Sequence, residues 1–150
     1  MLELGAESAV KSVAEMHKLA ADLAGKCVGG ELIGLSGELG AGKTEFTKGF
    51  LKSLGFKELV TSPSYTVQNI YPLEGQKISE VHHFDCYRLG EGSGIEQFRE
   101  NSLQDELISL VEWPEKLPEL KDLLSYHLQI KFGASNTEQR LVVIEDMQNA

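Results

Sequence analysis

The sequence predicts an α/β fold built on a sheet of mixed direction. A short apolar segment at 31–36 leads into a glycine-rich loop and then into a helical pattern, and strand–loop–helix units favour parallel pairing. Strand-like segments also outnumber helical ones along the chain. The turn between the segments 65–71 and 78–87 is too short for a crossover, so these strands should pair antiparallel. One sheet should therefore contain both directions.

The first helix is predicted by a start signal and by its periodicity. Residues 12–15, Ser-Val-Ala-Glu, have the Ser/Thr-x-x-Glu form of a capping box. Apolar residues follow at helical spacing up to Gly25, where we expect the helix to end. These residues are Val13, Met16, Leu19, Ala20 and Leu23. Residues 2–8, before the helix, are predicted to form a short edge strand.

The middle of the chain alternates between strands and turns. A second helix should span Thr44–Leu54, because apolar residues recur at helical spacing as far as Gly55. Pro63 fixes its own φ angle and lacks an N–H donor, which predicts a turn at 61–64. We expect strands at 65–71 and 78–87, a turn at 72–76 and, at most, weak helix at 91–100.

The last third of the chain should add three strands. The continuous apolar run Leu107–Val111 predicts a buried strand, and a short connector follows at 118–124. Strands at 126–132 and 140–144 flank Gly133-Ala134-Ser135-Asn136, a typical hairpin turn, before a frayed end at 146–150. Because no repeat, linker or low-complexity segment interrupts the chain, residues 1–150 are predicted to form a single domain.

The strongest functional signal is the stretch Gly37-Glu38-Leu39-Gly40-Ala41-Gly42-Lys43-Thr44, which matches G-x-x-x-x-G-K-[ST]. Its glycines let backbone N–H groups turn toward phosphate oxygens. Lys43 would bring a positive charge to the β- and γ-phosphates, and Thr44 would offer a hydroxyl to Mg²⁺. The alternative is a tight glycine turn with an incidental lysine, but a preceding strand and a following helix are what phosphate binding requires. The loop therefore predicts a three-layer, P-loop NTPase-like domain.

Composition limits the classes of function. The formal net charge of −9 disfavours strong direct binding to a nucleic-acid backbone; it suits basic partners, although solubility alone explains it equally well. No apolar run approaches the roughly 20 residues that span a bilayer, and Met1–Leu4 lacks the blocks of a signal peptide. Cys27 and Cys86 form no CxxC motif and are predicted to be buried thiols. We therefore expect a cytoplasmic protein without membrane association.

Two acidic residues are candidates for metal and water chemistry. Asp85 ends an apolar segment in the form of a Walker B strand, and Glu112 closes the run Leu107–Val111. Ligands of α/β sheets bind at such strand ends. The ordinary alternatives are an ion pair with Arg88 or a turn cap for Asp85, and a solvated strand end for Glu112. Trp113, the next residue, would shield the site.

Two further segments are open to more than one interpretation. The hydroxyl groups of Ser62-Pro63-Ser64-Tyr65-Thr66 stand where many nucleotide-binding proteins sense the γ-phosphate, but a plain turn is an equal alternative. His82 and His83 are adjacent, so on a strand they face opposite sides and cannot chelate one metal as a simple pair. We expect one of them to be packed in the core and the other to be exposed.

Four blocks occur in order along the chain: GELGAGKT, SPSYT, HFDCYRL and LVEWPE. Together they resemble the TsaE family (formerly YjeE), the small bacterial ATPases of tRNA threonylcarbamoyladenosine (t6A) modification. The resemblance covers residues 32–117, and its last two blocks are much more specific than the phosphate loop. It implies a P-loop fold, binding of ATP or ADP with Mg²⁺, slow hydrolysis, and work alongside TsaB and TsaD, which modify adenosine 37 of tRNA.

The resemblance also assigns a role to each candidate residue. Lys43 would hold the phosphates, Thr44 would hold Mg²⁺, and Asp85 would be the Walker-B-like acid needed for hydrolysis. Glu112 would contact Mg²⁺ or its water, and Trp113 would flank the nucleotide. Residues Ser62 to Thr66 would form a switch-like loop.

The chain departs from the usual family pattern at three of the positions considered, and a fourth position holds a candidate nucleotide contact. Glu45 stands where the family usually has threonine, and it adds a negative charge near the metal. Ser64 replaces a threonine of the switch block but keeps the hydroxyl. Met16 stands where the family often has a threonine near the adenine. Arg140, in the late hairpin, is a candidate for reaching the nucleotide.

The leading functional hypothesis is an ATPase subunit whose hydrolysis resets a tRNA-modifying complex, with tRNA contacted only through that complex. Because no arginine is obviously placed as a finger, a partner would complete the site. A small-molecule kinase is the first alternative, although kinases of this fold generally clamp phosphate with several arginines and this chain has three. A GTPase is disfavoured because the Asn-Lys-x-Asp motif is absent from the sequence. A non-catalytic ATP sensor that docks on a partner is the third possibility.

Overall fold

Seven strands form one mixed sheet in the part of the chain that the structure describes. The structure is a computed structural model and describes residues 2–38, 40–58, 68–74, 76–89, 94–133 and 138–148. The strands are β1 (Ser8–Val10), β2 (Leu32–Gly37), β3 (Gln68–Pro72), β4 (Glu80–Asp85), β5 (Leu107–Glu112), β6 (Tyr126–Phe132) and β7 (Arg140–Asp146). Their order across the sheet is β1-β7-β6-β2-β5-β4-β3. The four central strands run parallel, while β1, β7 and β3 pair antiparallel, which confirms the mixed sheet.

The helices are α1 (Val13–Ala24), α2 (Lys43–Ser53), the single turn α3 (Cys86–Leu89) and α4 (Glu96–Ser102), with 3₁₀ segments at Pro114–Lys116 and Pro118–Asp122. The capping signal of α1 works as predicted, because the Ser12 hydroxyl oxygen accepts a hydrogen bond of 3.1 Å from the Glu15 N–H. None of the helices in the described ranges has the length and apolar character that crossing a membrane requires.

Helices cover both faces of the sheet, which confirms the three-layer arrangement. One face packs against α1 and α2, and the other packs against α4 and the 3₁₀ segments. The first core contains Met16, Leu23, Ile33, Leu35, Phe46, Phe50, Ile108 and Leu110. The second contains Leu32, Phe84, Phe98, Val111, Leu117 and Leu120. Alternate residues of β2, β4 and β5 enter different cores, as expected for strands that are covered on both faces.

The helices α1 and α2 approach each other most closely at Gly49. A Cβ atom added there would lie 2.6 Å from the Cα atom of His17, so glycine is the residue that permits this contact. One residue earlier on α1, Met16 approaches Gly42, where an added Cβ would lie 3.1 Å from the Met16 Cε. Helix α1 therefore supports the junction between the phosphate loop and α2.

Three predictions of secondary structure need correction. The edge strand lies at 8–10 and not at 2–8, because Ser8 is the residue that enters the ladder with β7, opposite Val142. The strand predicted at 78–87 ends at Asp85, where the chain turns into α3. The region 91–100 contributes to a regular helix, α4, which is stabilised because it buries Phe98 and Asn101.

Several other predictions fall on residues that the structure does not describe. They are the turn at 61–64, the first residues of the strand predicted at 65–71, and most of the hairpin turn at 133–136. The single-domain organisation of residues 1–150 stays a prediction.

Both adjacent histidines are buried, so the prediction that one of them is exposed was wrong. They do face opposite sides of β4: His83 is 1% exposed and His82 is 7% exposed. The Nδ1 atom of His82 lies 3.1 Å from the Asn101 amide nitrogen, and its Nε2 atom lies 3.1 Å from a Glu80 carboxylate oxygen. The error has a simple cause, because a sheet with helices on both faces offers no solvent-exposed face to a central strand.

The two cysteines are free thiols; Cys86 is buried as predicted, and Cys27 is partly buried. Burial raises the pKa of each thiol to about 12, and negative charge nearby adds to the effect, from Glu31 at Cys27 and from Asp85 at Cys86. Both thiols are therefore protonated and weakly nucleophilic at neutral pH.

Replacing Gly49 by alanine tests the contact between α1 and α2. Helix propensity alone would make Gly49→Ala stabilising by about 1 kcal/mol. We expect the opposite sign, a loss of about 1–3 kcal/mol in the free energy of unfolding, because the methyl group collides with the backbone of His17. Urea unfolding followed by circular dichroism measures this. Gly25→Ala is the control, since a Cβ there meets ordinary contacts of 3.5 and 3.6 Å. Unchanged or increased stability of Gly49→Ala would contradict the close approach.

Candidate functional site

The sheet topology brings the predicted site residues to one edge. Strands β2, β5 and β4 are parallel neighbours, so their carboxyl ends lie side by side. The phosphate loop follows β2, Glu112 ends β5, and Asp85 ends β4. Asp85 and Glu112 are direct register partners. This is the edge at which ligands of open α/β sheets bind.

The loop has the backbone that its glycines predict, with one difference. Gly40 and Gly42 have φ angles of +81° and +121°, which disfavour other residues. Gly37 is needed for space instead, because a Cβ there would lie 3.0 Å from the carbonyl oxygen of Ile130 on β6. The Ala41 N–H donates to the Glu38 carbonyl at 2.9 Å, which closes a turn inside the loop. Since Gly42, the residue before α2, has no side chain, it leaves the first N–H groups of the helix available to an anion.

Lys43 and Glu112 form a buried ion pair at the centre of the site. The Lys43 Nζ atom lies 3.7 Å from a Glu112 carboxylate oxygen, and the two side chains are 8% and 9% exposed. The other Glu112 carboxylate oxygen lies 2.6 Å from the Nε2 atom of His83. Burial by itself would raise the pKa of Glu112, but His83 and Lys43 outweigh burial and hold this pKa below its usual value. Glu112 is therefore a buried carboxylate and not a solvated strand end.

His83 is a site residue that the sequence interpretation missed. It lies two positions before Asp85 on β4, so it shares a face of the sheet with Asp85 and, across the ladder, with Glu112. Its Nε2–Glu112 contact is short but poorly aligned for a hydrogen bond, and its Nδ1 atom has no hydrogen-bond partner among the described residues. The i, i+2 spacing from Asp85 was the available signal, combined with the alternation of a strand.

Trp113 packs directly on the phosphate-loop lysine. The Lys43 Nζ atom lies 4.2 Å from the centroid of the indole ring, a cation–π contact. Trp113 adopts a left-handed backbone conformation with a φ angle of +57°, which is strained for a bulky residue. Tyr87 in turn lies 5.5 Å from Trp113 between ring centroids, and Lys116 covers Tyr87 at 4.8 Å. The conformation of Trp113 thus places an aromatic wall beside the loop.

Asp85 faces the site, and it also makes both of the ordinary contacts that its sequence allowed. One carboxylate oxygen accepts a 3.0 Å hydrogen bond from the Tyr87 N–H, which caps the turn into α3. The other lies 3.8 Å from the Nε atom of Arg88. These contacts fix the carboxylate at the end of β4, beside Glu112.

The predicted residues surround a cavity of about 680 Å³, but not all of them line it. Its lining comprises Glu38, Gly40, Gly42, Lys43, Thr44, Glu45, Asp85, Tyr87, Arg88, Glu112 and Trp113. Gly37 lines a neighbouring cavity of about 500 Å³ together with Ser36, Glu38 and Trp113. The side chain of Ala41, another loop residue, is fully buried. Leu39 and the segment Ser62 to Thr66 lie outside the described residues.

The carboxylate of Glu45, which follows Thr44, contacts side chains of α1 and α2. Its two carboxylate oxygens lie 2.9 Å from His17 Nε2 and 3.2 Å from Lys48 Nζ. Partial burial would raise the pKa of Glu45, but His17 and Lys48 together lower it. Glu45 therefore ties α2 to α1, and its neighbours offset much of the negative charge that it would bring to a metal.

Two of the other positions that were compared with the family pattern, Met16 and Arg140, support the phosphate loop. Met16 is 3% exposed and packs under Gly42. Arg140, at the start of β7, bonds to the carbonyl oxygens of Ala41 and Gly40. Arg140 thus reaches the loop that would hold a nucleotide.

The pH dependence of stability tests the environment of Glu112. A lowered pKa in the folded state contributes stability that is present above the ordinary carboxyl value of 4.5 and is lost as the pH falls through the lowered pKa. We expect Glu112→Gln to flatten this acid limb. At neutral pH the same variant should lose about 3 kcal/mol, because Lys43 becomes an unpaired buried charge.

Urea unfolding at a series of pH values from about 7 down to about 3 measures both effects. Glu119→Gln, at an exposed position of the second 3₁₀ segment, is the matched control. Parallel stability curves for the wild-type protein and Glu112→Gln would show that the contacts of Glu112 do not shift its titration.

Comparison with known proteins identifies the family of the chain. The family model described as "Threonylcarbamoyl adenosine biosynthesis protein TsaE" matches residues 10–142. The tRNA threonylcarbamoyladenosine biosynthesis protein TsaE of Streptomyces coelicolor is 37% identical over 135 residues, which span 86% of this chain and 88% of that protein. The protein of the same name from Bacillus subtilis is 31% identical over 123 residues, which span 80% and 72%.

A solved structure gives the same result for the fold. The crystal structure of Bacillus subtilis YdiB superimposes with a TM-score of 0.70 at 26% sequence identity, covering 95% of this chain and 85% of that one. This similarity confirms the P-loop-type fold that the phosphate loop predicts. The family match extends beyond the four sequence blocks on both sides. The chain therefore belongs to the TsaE family.

Proposed function

We propose that this chain is the ATP-binding, slowly hydrolysing subunit of the cytoplasmic machinery for tRNA t6A modification, acting with proteins of the TsaB and TsaD type. Family membership supports the place in t6A biosynthesis. One structural observation carries the ATPase proposal: Lys43 of the phosphate loop meets Glu112 at 3.7 Å, in a cavity that Asp85 also lines. This combination supplies a cation for phosphate and two acids for metal and water.

The loop and the first turn of α2 would bind the phosphates of ATP or ADP. The positive φ angles of Gly40 and Gly42 favour a concave row of N–H groups, and the dipole of α2 adds positive potential. Lys43 is already largely removed from water, so its interaction with phosphate oxygens would be strong. Trp113 would flank the bound nucleotide beside Lys43.

The residues present suit a magnesium ion that is held mainly by phosphate and water. No cluster of three or more His, Cys, Asp or Glu in the described ranges could hold a metal alone, which is typical of Mg²⁺ in nucleotide sites. The Thr44 hydroxyl and Glu112, directly or through water, would complete its coordination. The ion would supply charge neutralisation on the β- and γ-phosphates. The lowered pKa of Glu112 keeps this ligand ionised at neutral pH.

Hydrolysis would depend on Asp85 and Glu112, which face the cavity from neighbouring strands. Asp85, fixed by the Tyr87 N–H, is suited to orienting the attacking water. The turnover of the isolated chain should be slow because each of its three arginines already contacts other protein groups. Of the three, Arg99 pairs with Glu96 on α4, Arg140 bonds to loop carbonyls, and Arg88, which lines the cavity, pairs with Asp85. A partner that completes the site would accelerate the reaction.

The same distribution of arginines argues against a small-molecule kinase, because only one arginine borders the cavity. A non-catalytic ATP sensor is the second candidate, favoured by the contacts that Asp85 already makes with Tyr87 and Arg88. Multiple-turnover phosphate release separates hydrolysis from sensing, and phosphorylation of a metabolite would revive the kinase.

Nucleotide binding is testable through the single tryptophan of the chain. Because Lys43 lies over the ring of Trp113, moving Lys43 onto a phosphate should change the intrinsic fluorescence. We expect MgATP and MgADP to produce a saturable change, and Lys43→Ala to weaken binding by at least about 10-fold. Lys121→Ala, at an exposed position of the second 3₁₀ segment, is the matched control. Absence of binding to the wild-type protein in calorimetry would refute the proposal.

Hydrolysis and partner dependence need the reconstituted complex. We expect TsaB- and TsaD-type proteins to increase phosphate release by this chain, and Asp85→Asn to reduce it by about 100-fold or more. MgADP affinity should change by no more than a few-fold, since Asp85 would act on the water. Unchanged hydrolysis in Asp85→Asn would remove Asp85 from the mechanism. ATP-dependent co-purification with the partners and no turnover under any condition would favour the sensor.

A further inference from the structure

The side chain of Arg140, at the start of β7, bonds to two carbonyl groups of the phosphate loop. Its Nε atom donates a 3.0 Å hydrogen bond to the carbonyl oxygen of Ala41, and its Nη2 atom lies 3.4 Å from the carbonyl oxygen of Gly40. The guanidinium group lies over the ring of Phe132, 4.3 Å from its centroid. Phe132 is the register partner of Arg140 across β6 and β7, so both residues belong to paired strands of the sheet. The sheet thereby fixes two successive carbonyl groups of the loop.

These contacts determine where one particular N–H group points. In a trans peptide the C=O and N–H bonds point in opposite directions, so a carbonyl of Ala41 that faces Arg140 directs the Gly42 N–H away from it. The preceding donor, the Ala41 N–H, is already bonded to the Glu38 carbonyl at 2.9 Å. Gly42 lines the cavity of about 680 Å³ that is proposed to hold the phosphates, the phosphate cavity, whereas Ala41 is fully buried. The Gly42 N–H is therefore the loop donor whose direction depends on Arg140.

A lock is needed at this peptide because its sequence makes it easy to flip. Gly42 has a φ angle of +121°, and glycine tolerates positive and negative φ about equally, so the chain itself does not choose one orientation of the 41–42 peptide plane. A flipped plane would turn the Ala41 carbonyl toward the cavity and present a partial negative charge to the phosphates. A planar guanidinium fork can bond two neighbouring carbonyls at once, which an ammonium group cannot do in a fixed geometry.

We propose that Arg140 is a positioning residue that locks the Ala41–Gly42 peptide so that the Gly42 N–H faces the phosphate cavity. The proposal rests on the proposed nucleotide binding for the identity of the ligand. The lock itself is a property of the free protein, and it acts on the loop and not on the nucleotide directly.

The experiment compares Arg140→Lys, which keeps the charge, with Arg140→Gln, which removes it. Affinity for MgADP is measured by the fluorescence of Trp113, and the Gly42 amide is followed by ¹H–¹⁵N NMR with and without MgADP. We expect both variants to bind at least about 10-fold more weakly, since each loses a charge-assisted hydrogen bond of defined direction. The Gly42 resonance should already be displaced or broadened in the free variants. A residue that only stabilised the fold would lower the melting temperature without singling out this amide.

Two further variants complete the design. Arg99→Gln removes an arginine that pairs with Glu96 on α4, and it should bind MgADP within about twofold of the wild-type protein. Phe132→Leu keeps Arg140 but removes the ring beneath it, and it should weaken binding a few-fold in the same direction. If Arg140→Gln does not fold, Arg140→Lys and Phe132→Leu decide the question by the same two measurements.

The possible outcomes separate this proposal from the proposed function. Folded Arg140 variants with wild-type affinity and an unchanged Gly42 resonance would overturn the lock. If the wild-type protein itself does not bind MgADP, the proposed function fails, and the Gly42 resonance of the free protein then decides on the lock alone. A displaced resonance supports the lock, and an unchanged one overturns it.

Discussion

The buried ion pair between Lys43 and Glu112 is the interaction on which the rest of the site depends. Both side chains are less than one tenth exposed, at 8% and 9%, and their charged atoms lie 3.7 Å apart. Leaving either charge buried without its partner would cost several kcal/mol. The ion pair therefore fixes the start of helix α2 against the end of strand β5. The contact between His83 and Glu112 adds strand β4 to the same cluster. The charges to which the proposed function assigns phosphate and metal binding are thus the ones that stabilise the site.

The surrounding structure keeps this pair in place from three directions. Helix α1 approaches α2 at Gly49 and supports Gly42 through Met16, while the His17–Glu45 contact ties the first turn of α2 to α1. Trp113 covers Lys43 from the end of β5. From the start of β7, Arg140 holds the loop carbonyls. Each support comes from a different element. The folded structure therefore largely preorganises the loop, although its glycines would give an isolated loop many backbone conformations.

The sequence predicted the elements and the composition of the site better than its contacts. The loop, the two strand-end acids and Trp113 were identifiable because their residue types and their order along the chain reflect local chemistry. His83 was missed, and His82 was expected to be exposed, because a single strand does not reveal what covers each of its faces. The short helix α4 was underestimated for a related reason: its stability comes from burying Phe98 and Asn101, and not from local periodicity.

By itself, the sequence determined the strand–loop–helix unit, the mixed direction of the sheet and the residue types of a phosphate-binding motif, because each of these depends on spacing along one segment. Only the tertiary structure decided which residues meet. The carboxyl ends of β2, β5 and β4 become neighbours through crossovers, which bring Lys43, Glu112 and His83 together from distant parts of the chain. Glu45 and Arg140 likewise acquired their partners, His17 and the Ala41 carbonyl, through packing. Contacts of this kind depend on burial and direction in three dimensions, and no local pattern of residues encodes them.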